Sequence, residues 1–476
     1  MTTYHLTAPT SAGGPLRLNR ALAVSSLLLV VLTSNAIGQS GKLVNPKAFG
    51  LNLAPGKVDY SPRRVTTANE AGKAVVGKVH VSVGDSYIVL LPNGELVARS
   101  KSDTPLTERP FRADAAKAIA KELLNDKLSG FRTRISRHYV FLYNTSEPFA
   151  VTAMRIMESM YPGVVNYAHQ QRIKVHNPII PLVVVMFRTE AEFQRYRRMP
   201  KGVVAYYNTL TNRVILYERS RLRRTQPQMA MRQSISTMAH EGAHQILHNI
   251  GVQKRLALWP MWVTEGLAEF FAPTTFGKRM LWKGAGKVND MRMFELDVYL
   301  KGRAEVSKGD LIKQTVTAAR LTSAGYASAW SLTHFLAMKR RREFHRYVRE
   351  VSQLRPLEGG GRVVGPGVIP ANQVLFEKHF GKDLAKLEKR LIGHLKSLPY
   401  RDPFAAFPHY LAMIISTDES GKRTKRNANA FHSRSLAESW RRKMAEKHTN
   451  SRTAVRRFTN RAAAQRYARQ WLKSKK

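Results

Sequence analysis

The sequence has no cysteine among its 476 residues. This absence excludes a disulfide framework, a cysteine-ligated metal site and a cysteine nucleophile, and it leaves the cellular compartment open. Acidic residues are also scarce, because 33 Asp and Glu stand against 78 Lys and Arg, which gives a formal charge of +45. The hydrophobic fraction of 43% is nevertheless ordinary for a globular protein, so general disorder is excluded.

Long apolar runs are lacking as well, apart from one at residues 21–32. It follows Arg17 and Arg20 and precedes small and polar residues up to Gly38, an order typical of a secretory signal. Its length is short of the ~20 residues that span a bilayer. We interpret residues 1–38 as a signal peptide and expect export to the periplasm, cell surface or medium. A buried helix or a retained N-terminal anchor is the alternative, and no further integral membrane domain is expected.

The basic excess is spread along the whole chain, with a concentration at its end. Residues 401–476 hold 19 Lys and Arg against 5 Asp and Glu, a net charge of +14, and the other 400 residues carry +31. No zinc-finger, homeodomain or RNA-recognition motif accompanies these bases, so a nucleic-acid partner is not favoured over a solvated surface. For an exported protein, this charge suits contact with an acidic envelope polymer.

Local patterns divide the rest of the chain into three parts. Residues 39–128 predict a linker, at 40–73, and a small β unit with a hairpin turn at Pro92-Asn93-Gly94. Residues 129–400 alternate strands and helices and become almost entirely helical after 228, which predicts the α+β class. Residues 401–476 predict a separate basic β-α-β-α unit.

The segment 234–250 carries the first chemical signal. Its apolar residues recur at helical spacing, and His240-Glu241-Gly242-Ala243-His244 lies on the predicted helix. Residues four apart share one helix face, so His240 and His244 can bind a single zinc ion. Glu241 lies about 100° around the helix from His240, where a general base would stand beside the metal without ligating it.

A second predicted helix supplies carboxylates. It opens after Pro260 and reads Trp262-Val-Thr-Glu-Gly-Leu-Ala-Glu-Phe-Phe271, with Glu265 and Glu269 on one face of an otherwise apolar sequence. Buried carboxylates need partners. Glu265 as a zinc ligand meets that need. Glu269 either holds the free ring nitrogen of a ligating histidine or forms a salt bridge with a nearby base.

Together, His-Glu-x-x-His and Trp-x-x-Glu-Gly-Leu-Ala-Glu-Phe-Phe resemble the gluzincin metallopeptidases, such as thermolysin and the aminopeptidase-N-like enzymes. The segment 237–271 is closest to an uncharacterised bacterial gluzincin-like family with an export signal. The resemblance covers residues 130–400 and implies a mixed sheet followed by a helical subdomain. It implies one zinc ion held by His240, His244 and Glu265, with Glu241 as the base.

The same resemblance suggests an oxyanion stabiliser and a substrate strand. In aminopeptidase-like gluzincins a tyrosine before a similar helix polarises the scissile carbonyl, a role that falls on Tyr326. Tyr206 and Tyr207 are its rivals, and their hairpin resembles the edge strand that gluzincins pair with an extended peptide. His248 is expected to be a surface or supporting histidine and not a ligand.

Other peptidase classes fit less well. A metzincin would need Gly at position 247 and His at 250, where this chain has Leu247 and Ile250. The aminopeptidase motif Gly-Ala-Met-Glu-Asn is absent, so exopeptidase action has no support. We expect an exported zinc metalloendopeptidase that hydrolyses peptides or proteins. The alternatives are a catalytically inactive binding or scaffold protein on the same fold and a polyanion-binding protein that acts through its basic C-terminal unit.

Overall fold

The computed structural model describes residues 43–200, 202–219, 227–275, 280–301, 308–359, 370–417, 424–448 and 450–474. The segment interpreted as a signal peptide, residues 1–38, lies outside these ranges. Contacts divide the chain into a larger unit that ends at Tyr400 and a smaller unit that begins at Arg401. Among the helices in the described ranges, none has both the length and the apolarity needed to cross a membrane.

The larger unit begins with a sheet of six short strands. They are β1 (Leu43–Val44), β2 (Gly56–Asp59), β3 (Arg64–Ala68), β4 (Ala74–Val83), β5 (Ser86–Leu90) and β6 (Leu96–Ser100), in the order β1-β2-β4-β5-β6 with β3 also paired to β4. The prediction of a linker over 40–73 is therefore wrong from Leu43 onward. Strands with one or two inward valines, such as Val58 and Val65, are too short to show an alternating pattern.

This sheet is joined to the next part of the chain through buried polar contacts, so the described residues 43–128 belong to the larger unit. The Arg255 guanidinium donates hydrogen bonds to the carbonyl oxygens of Gly94, Thr209 and Leu210 at 2.7–2.8 Å. The Leu96 amide donates to the same Leu210 carbonyl at 2.7 Å. These bonds tie the first sheet to the loop at 209–211.

A five-stranded mixed sheet forms the centre of the larger unit. Its strands are β7 (Arg132–Ile135), β8 (Tyr139–Tyr143), β9 (Leu182–Thr189), β10 (Ala205–Asn208) and β11 (Arg213–Arg219), in the order β10-β11-β9-β8-β7. The inner strands β8, β9 and β11 are parallel, and the edge strands β7 and β10 run antiparallel to their neighbours. The helices α1 (Ala116–Asn125) and α3 (Glu190–Tyr196) cover one face, and α2 (Glu147–Gln170) covers the other.

The helix α2 continues through a proline to Gln170. Pro162 lies inside it, and proline normally interrupts a helix because it lacks an N–H group. Here Tyr161 and Val164 on either side of the proline are buried against the core. Their burial supports the helix through the proline, so packing outweighs the local preference.

The remainder of the larger unit is helical, as predicted. Its helices are α4 (Pro227–Asn249), α5 (Met261–Phe271), α6 (Asp290–Lys301), α7 (Asp310–Thr317), α8 (Ser323–Lys339), α9 (Arg341–Val351), α10 (Ala371–Phe380) and α11 (Leu384–Lys396). The first of them, α4, packs on the same sheet face as α2, and α5 packs between α4 and α8. Mixed sheet followed by helices places the protein in the α+β class.

The smaller unit consists of β12 (His409–Thr417), β13 (Thr424–Phe431), α12 (Arg434–Glu446), β14 (Ser451–Phe458) and α13 (Arg461–Lys473). Its sheet has the order β13-β12-β14, with β12 antiparallel to both neighbours. The order is therefore β-β-α-β-α, and the predicted β-α-β-α omits β13. That strand reads Thr-Lys-Arg-Asn-Ala-Asn-Ala-Phe, and such a polar sequence is tolerated because the strand lies at an edge of the sheet.

Candidate metal centre

The two predicted motif helices meet in the core and bring three ligand-type atoms together. His240 Nε2 lies 3.2 Å from His244 Nε2, and Glu265 Oε2 lies 3.1 Å from the first and 3.4 Å from the second. All three side chains are buried. Within the described residues, these three form the single group of His, Asp or Glu side chains whose geometry could hold a metal ion.

This triangle fits a zinc ion. Ligand atoms about 2.0–2.1 Å from a tetrahedral zinc lie about 3.3–3.4 Å from each other, so the three observed separations approach one face of such a tetrahedron. Two imidazole nitrogens and one carboxylate oxygen are also a donor set that zinc enzymes use, with a fourth position left for water or substrate. Burial in water-poor surroundings adds a reason for a cation, because the carboxylate needs a compensating charge.

Glu241 stands beside the triangle with one oxygen bound and one oxygen without a protein partner. The Tyr207 amide of the edge strand β10 donates to Glu241 Oε2 at 2.9 Å. Glu241 Oε1 is buried and has no hydrogen-bond partner among the residues that the structure describes. Burial raises the pKa of Glu241 to about 7, against the lowering effect of His240 and His244. A carboxylate with a pKa near neutrality and an unoccupied oxygen is suited to accept a proton.

The pKa of Glu265 moves in the opposite direction. Burial opposes its charge, yet the neighbouring His244 and His240 lower its pKa to about 2. The pKa values of these two buried carboxylates, one on each motif helix, are thus shifted in opposite directions. A low pKa suits a metal ligand, which binds in its ionised form, and a pKa near neutrality suits a general base.

Glu269 combines the two roles that the sequence leaves open. Its Oε1 lies 3.0 Å from His240 Nδ1, the ring nitrogen that faces away from the triangle. The same oxygen lies 2.5 Å from Arg292 Nη2, and Oε2 accepts from Asn289 Nδ2 at 2.8 Å. The carboxylate lies against the imidazole of His240, where it could orient the ring, and is itself held by a salt bridge and an amide.

Arg292 and Asn289 are supporting residues that sequence reasoning misses. Arg292 is buried, and its Nη1 also donates to Glu295 Oε2 at 2.7 Å. At the start of α6 the charges alternate in sign, and a mixed-charge helix start usually indicates a solvated surface. No local pattern separates such a helix from one that delivers its charges into a buried centre.

Tyr326 is placed close to the triangle, near the start of α8. Its ring centroid lies 6.1 Å from that of His240, and the Arg292 guanidinium carbon lies 5.3 Å from the centre of the Tyr326 ring. Burial, together with the charges of Glu265 and Glu241, raises the pKa of Tyr326. Its hydroxyl therefore keeps its proton at neutral pH and remains a hydrogen-bond donor.

The rival tyrosines are engaged elsewhere. Tyr207 donates its hydroxyl to Asn212 Oδ1 at 2.8 Å and stacks on His248. Tyr206 is buried on the opposite sheet face, against Phe193. His248 is placed outside the ligand group, with Nδ1 3.1 Å from the carbonyl oxygen of Gln253. Of the three tyrosines considered, Tyr326 alone has a ring contact with a member of the triangle among the contacts described.

Comparison with known protein families gives a match. Residues 234–358 match the model of a family described as a protein of unknown function, DUF1570. The matched segment runs from the middle of α4 to just beyond α9, so it contains the triangle, its supporting residues and Tyr326. No curated protein matches the chain.

Proposed function

We propose that the protein is a zinc-dependent metallopeptidase of the gluzincin type that cleaves peptide bonds within a chain. The observation that carries this proposal is the buried triangle of His240, His244 and Glu265, with the unpartnered Glu241 Oε1 beside it. A structural metal site has no use for a buried carboxylate oxygen that lacks a partner, because leaving such an oxygen unpaired is unfavourable. Export through residues 1–38 is part of the proposal and rests on the sequence pattern.

The residues around the centre have distinct tasks in this proposal. A zinc ion held by His240, His244 and Glu265 would act as a Lewis acid and lower the pKa of a bound water. Glu241 accepts the proton of the attacking water at Oε1 and later delivers it to the leaving amine, while the Tyr207 amide keeps Oε2 in place. Tyr326 donates its hydroxyl proton in a hydrogen bond to the carbonyl oxygen as negative charge develops there.

Substrate binding follows from the position of β10. This strand ends the central sheet and carries the amide that bonds Glu241, so an extended peptide added at this edge would pass in front of the base. Main-chain pairing of this kind orients a peptide without selecting its side chains. It is compatible with cleavage inside a chain, since it needs no free amino terminus.

The decisive experiment combines metal analysis with a peptide-library digest of wild type and Glu241→Gln. We expect one zinc per chain in both proteins, and a loss of at least 10³-fold in turnover in the variant, because the base is removed while the ligands stay. Glu388→Gln is the matched control. Glu388 is equally buried but accepts the amides of Leu311 and Ile312, so this variant should keep its activity.

Two outcomes would contradict the proposal. Peptide hydrolysis by Glu241→Gln at the wild-type rate would refute the role of the base. Zinc in the wild type without cleavage of any library peptide would favour a binding or scaffold protein on the same fold.

The role of Tyr326 needs a separate comparison. Tyr326→Phe should keep zinc and substrate affinity and lower kcat about 10²–10³-fold, because it removes one donor to the developing oxyanion. Tyr207→Phe is the control, since the Tyr207 hydroxyl is bonded to Asn212. A larger loss of kcat in Tyr207→Phe than in Tyr326→Phe would transfer the role to Tyr207.

A further inference from the structure

The smaller unit has far more bases than its own acids can neutralise. Residues 401–476 contain 19 Lys and Arg and 5 Asp and Glu, an excess of 14 bases over acids. Two of the acids are engaged in ion pairs, Asp402 with Arg461 and Glu438 with Arg441, both at 2.8 Å. Like charges on one small unit repel each other, so a negatively charged partner would relieve this repulsion.

The two helices of this unit lie on opposite faces of its sheet. Trp440 of α12 contacts the ring of Phe431, and Arg441 of α12 donates to Thr453 Oγ1 at 3.0 Å. The strand register places Phe431 and Thr453 on one face, next to Tyr410 and Ile414 of β12.

Side chains of the opposite face contact α13. Tyr467 of α13 packs against Phe458, with ring centroids 5.2 Å apart, and lies under the Arg456 guanidinium at 4.7 Å. Arg426 lies over the ring of Trp471 at 5.2 Å. Each helix therefore defines one side of the unit.

The side formed by α13 carries bases without acids. We define the α13 side as the helix α13 together with the strand β14 that borders it. Neither element contains an Asp or Glu, whereas α12 on the other side carries Glu438 and Glu446. The exposed bases on the α13 face are Arg466, Arg469 and Lys473 of the helix and Arg452 and Arg456 of the strand. The exposed Arg457 of β14 lies in register with Tyr410, on the face that packs against α12. Within the described residues of this unit, the charged side chains of α12 are thus of both signs, whereas those of α13 and β14 are all basic.

The bases of α13 form a row. Arg466, Arg469 and Lys473 are spaced three and four residues apart, so they project from one stripe that rises about 10 Å along the helix. The aromatic residues Tyr467 and Trp471 lie on the face that packs on the sheet. A row of exposed charges on a rigid helix suits a linear partner that carries repeated negative charges.

We propose that the α13 side binds a linear acidic polysaccharide. Single-stranded nucleic acids are usually held by exposed aromatic rings on which bases stack. On this side Phe458, Tyr467 and Trp471 are only partly exposed, and each already packs against an arginine or another ring. Recognition is left to charge alone, which a sugar polymer with carboxylate groups satisfies without offering a base to stack.

The test uses the full-length protein and polygalacturonate, a linear polymer of carboxylated sugars, with neutral dextran as the blank. If five bases contact the polymer, and the logarithm of the binding constant falls with the logarithm of the salt concentration by about 0.7 per charge, affinity should drop roughly 100-fold between 50 and 200 mM salt. The triple variant Arg466→Gln, Arg469→Gln, Lys473→Gln should bind at least 10-fold more weakly and reduce the slope by about two.

The matched control is Arg442→Gln, Lys443→Gln, Lys447→Gln. These three exposed bases belong to α12 and the residue after it, and the control removes the same charge from the other side. Its affinity should stay within about 3-fold of wild type. Equal losses in both triple variants, or no binding of polygalacturonate at 50 mM salt, would overturn the proposal. Tighter binding of a 24-base-pair duplex or of single-stranded DNA at equal salt would also overturn it and indicate a nucleic-acid site.

Discussion

Replacement of Arg292 with methionine should weaken zinc binding at the candidate metal centre without changing any of the three proposed ligands. The Arg292 guanidinium lies between Glu269, at 2.5 Å, and Glu295, at 2.7 Å, in a buried setting. Methionine fills a similar volume but leaves both carboxylates without their cation. Removing one partner from a buried ion pair costs about 3–5 kcal/mol.

This energy can be converted into two measurable effects. The larger unit has an unfolding entropy of about 0.8 kcal/mol/K at a typical value per residue, so Tm should fall by about 4–6 °C. Glu269 would also lose the contact that fixes its carboxylate against His240 Nδ1. Loss of such support typically weakens metal affinity by about 10–100-fold. Arg292→Lys, which keeps the charge but not the forked geometry, should fall between wild type and Arg292→Met.

Scanning fluorimetry and competition for zinc with a chelator would measure these two effects separately. The matched control is Arg213→Met, which breaks the buried pair of Arg213 and Glu95 away from the motif helices. This control should lower Tm and leave zinc affinity unchanged. If Arg292→Met lowers Tm as the control does and binds zinc as tightly as wild type, the support of His240 through Glu269 is refuted.

Two further predictions concern the packing and the pH dependence of the larger unit. Gly266→Ala should lower the free energy of unfolding in urea by about 1–3 kcal/mol, because the new Cβ would lie 2.1 Å from Thr333 Oγ1 and 2.7 Å from the Ala329 carbonyl oxygen. The control Gly393→Ala, where a Cβ meets no described atom within 4 Å, should be neutral or stabilising. Equal effects of the two substitutions would contradict the packing argument. Burial lowers the pKa of His334 from 6.5 to about 4, so its contribution to stability is complete above pH 6.5 and is lost as the pH falls toward 4. The urea concentration at the unfolding midpoint should decrease when the pH is lowered from about 7.5 to about 5, and His334 should account for about 2 kcal/mol of the lost stability. His334→Asn should make this decrease smaller. An unchanged pH dependence in the variant would exclude the assignment to His334.

The centre could be predicted from sequence where its geometry is local. His240, Glu241 and His244 owe their arrangement to one helix, so their spacing along the chain already indicates their positions in space. Glu265 and Glu269 are recognisable because carboxylates stand out on an apolar helix. Their convergence on the two histidines is tertiary, and the structure supplies it.

Arg292 shows why the remainder could not be predicted. It reaches Glu269 from α6, and the sequence around it shows only charges of alternating sign. The missed strands have a related cause. In β1–β3 the inward residues are too few to form a period, and β13 is a polar edge strand that depends on β12 for its pairing. In each case the structure of the residue or strand depends on the element that it contacts and cannot be inferred from its own sequence.

The close packing of the two motif helices explains how so many charged groups can be buried. The residue after Glu241 and the residue after Glu265 are both glycine, Gly242 and Gly266. A Cβ at Gly242 would lie 2.5 Å from the sulfur of Met157, and Gly266 has contacts tighter still. The neighbouring helices α2 and α8 can therefore approach next to each carboxylate and exclude water from it. Exclusion of water strengthens every electrostatic interaction and raises the free energy of an uncompensated carboxylate. The glycines thus contribute to the burial of the carboxylates beside the triangle of His240, His244 and Glu265, and a cation bound there would compensate their charge.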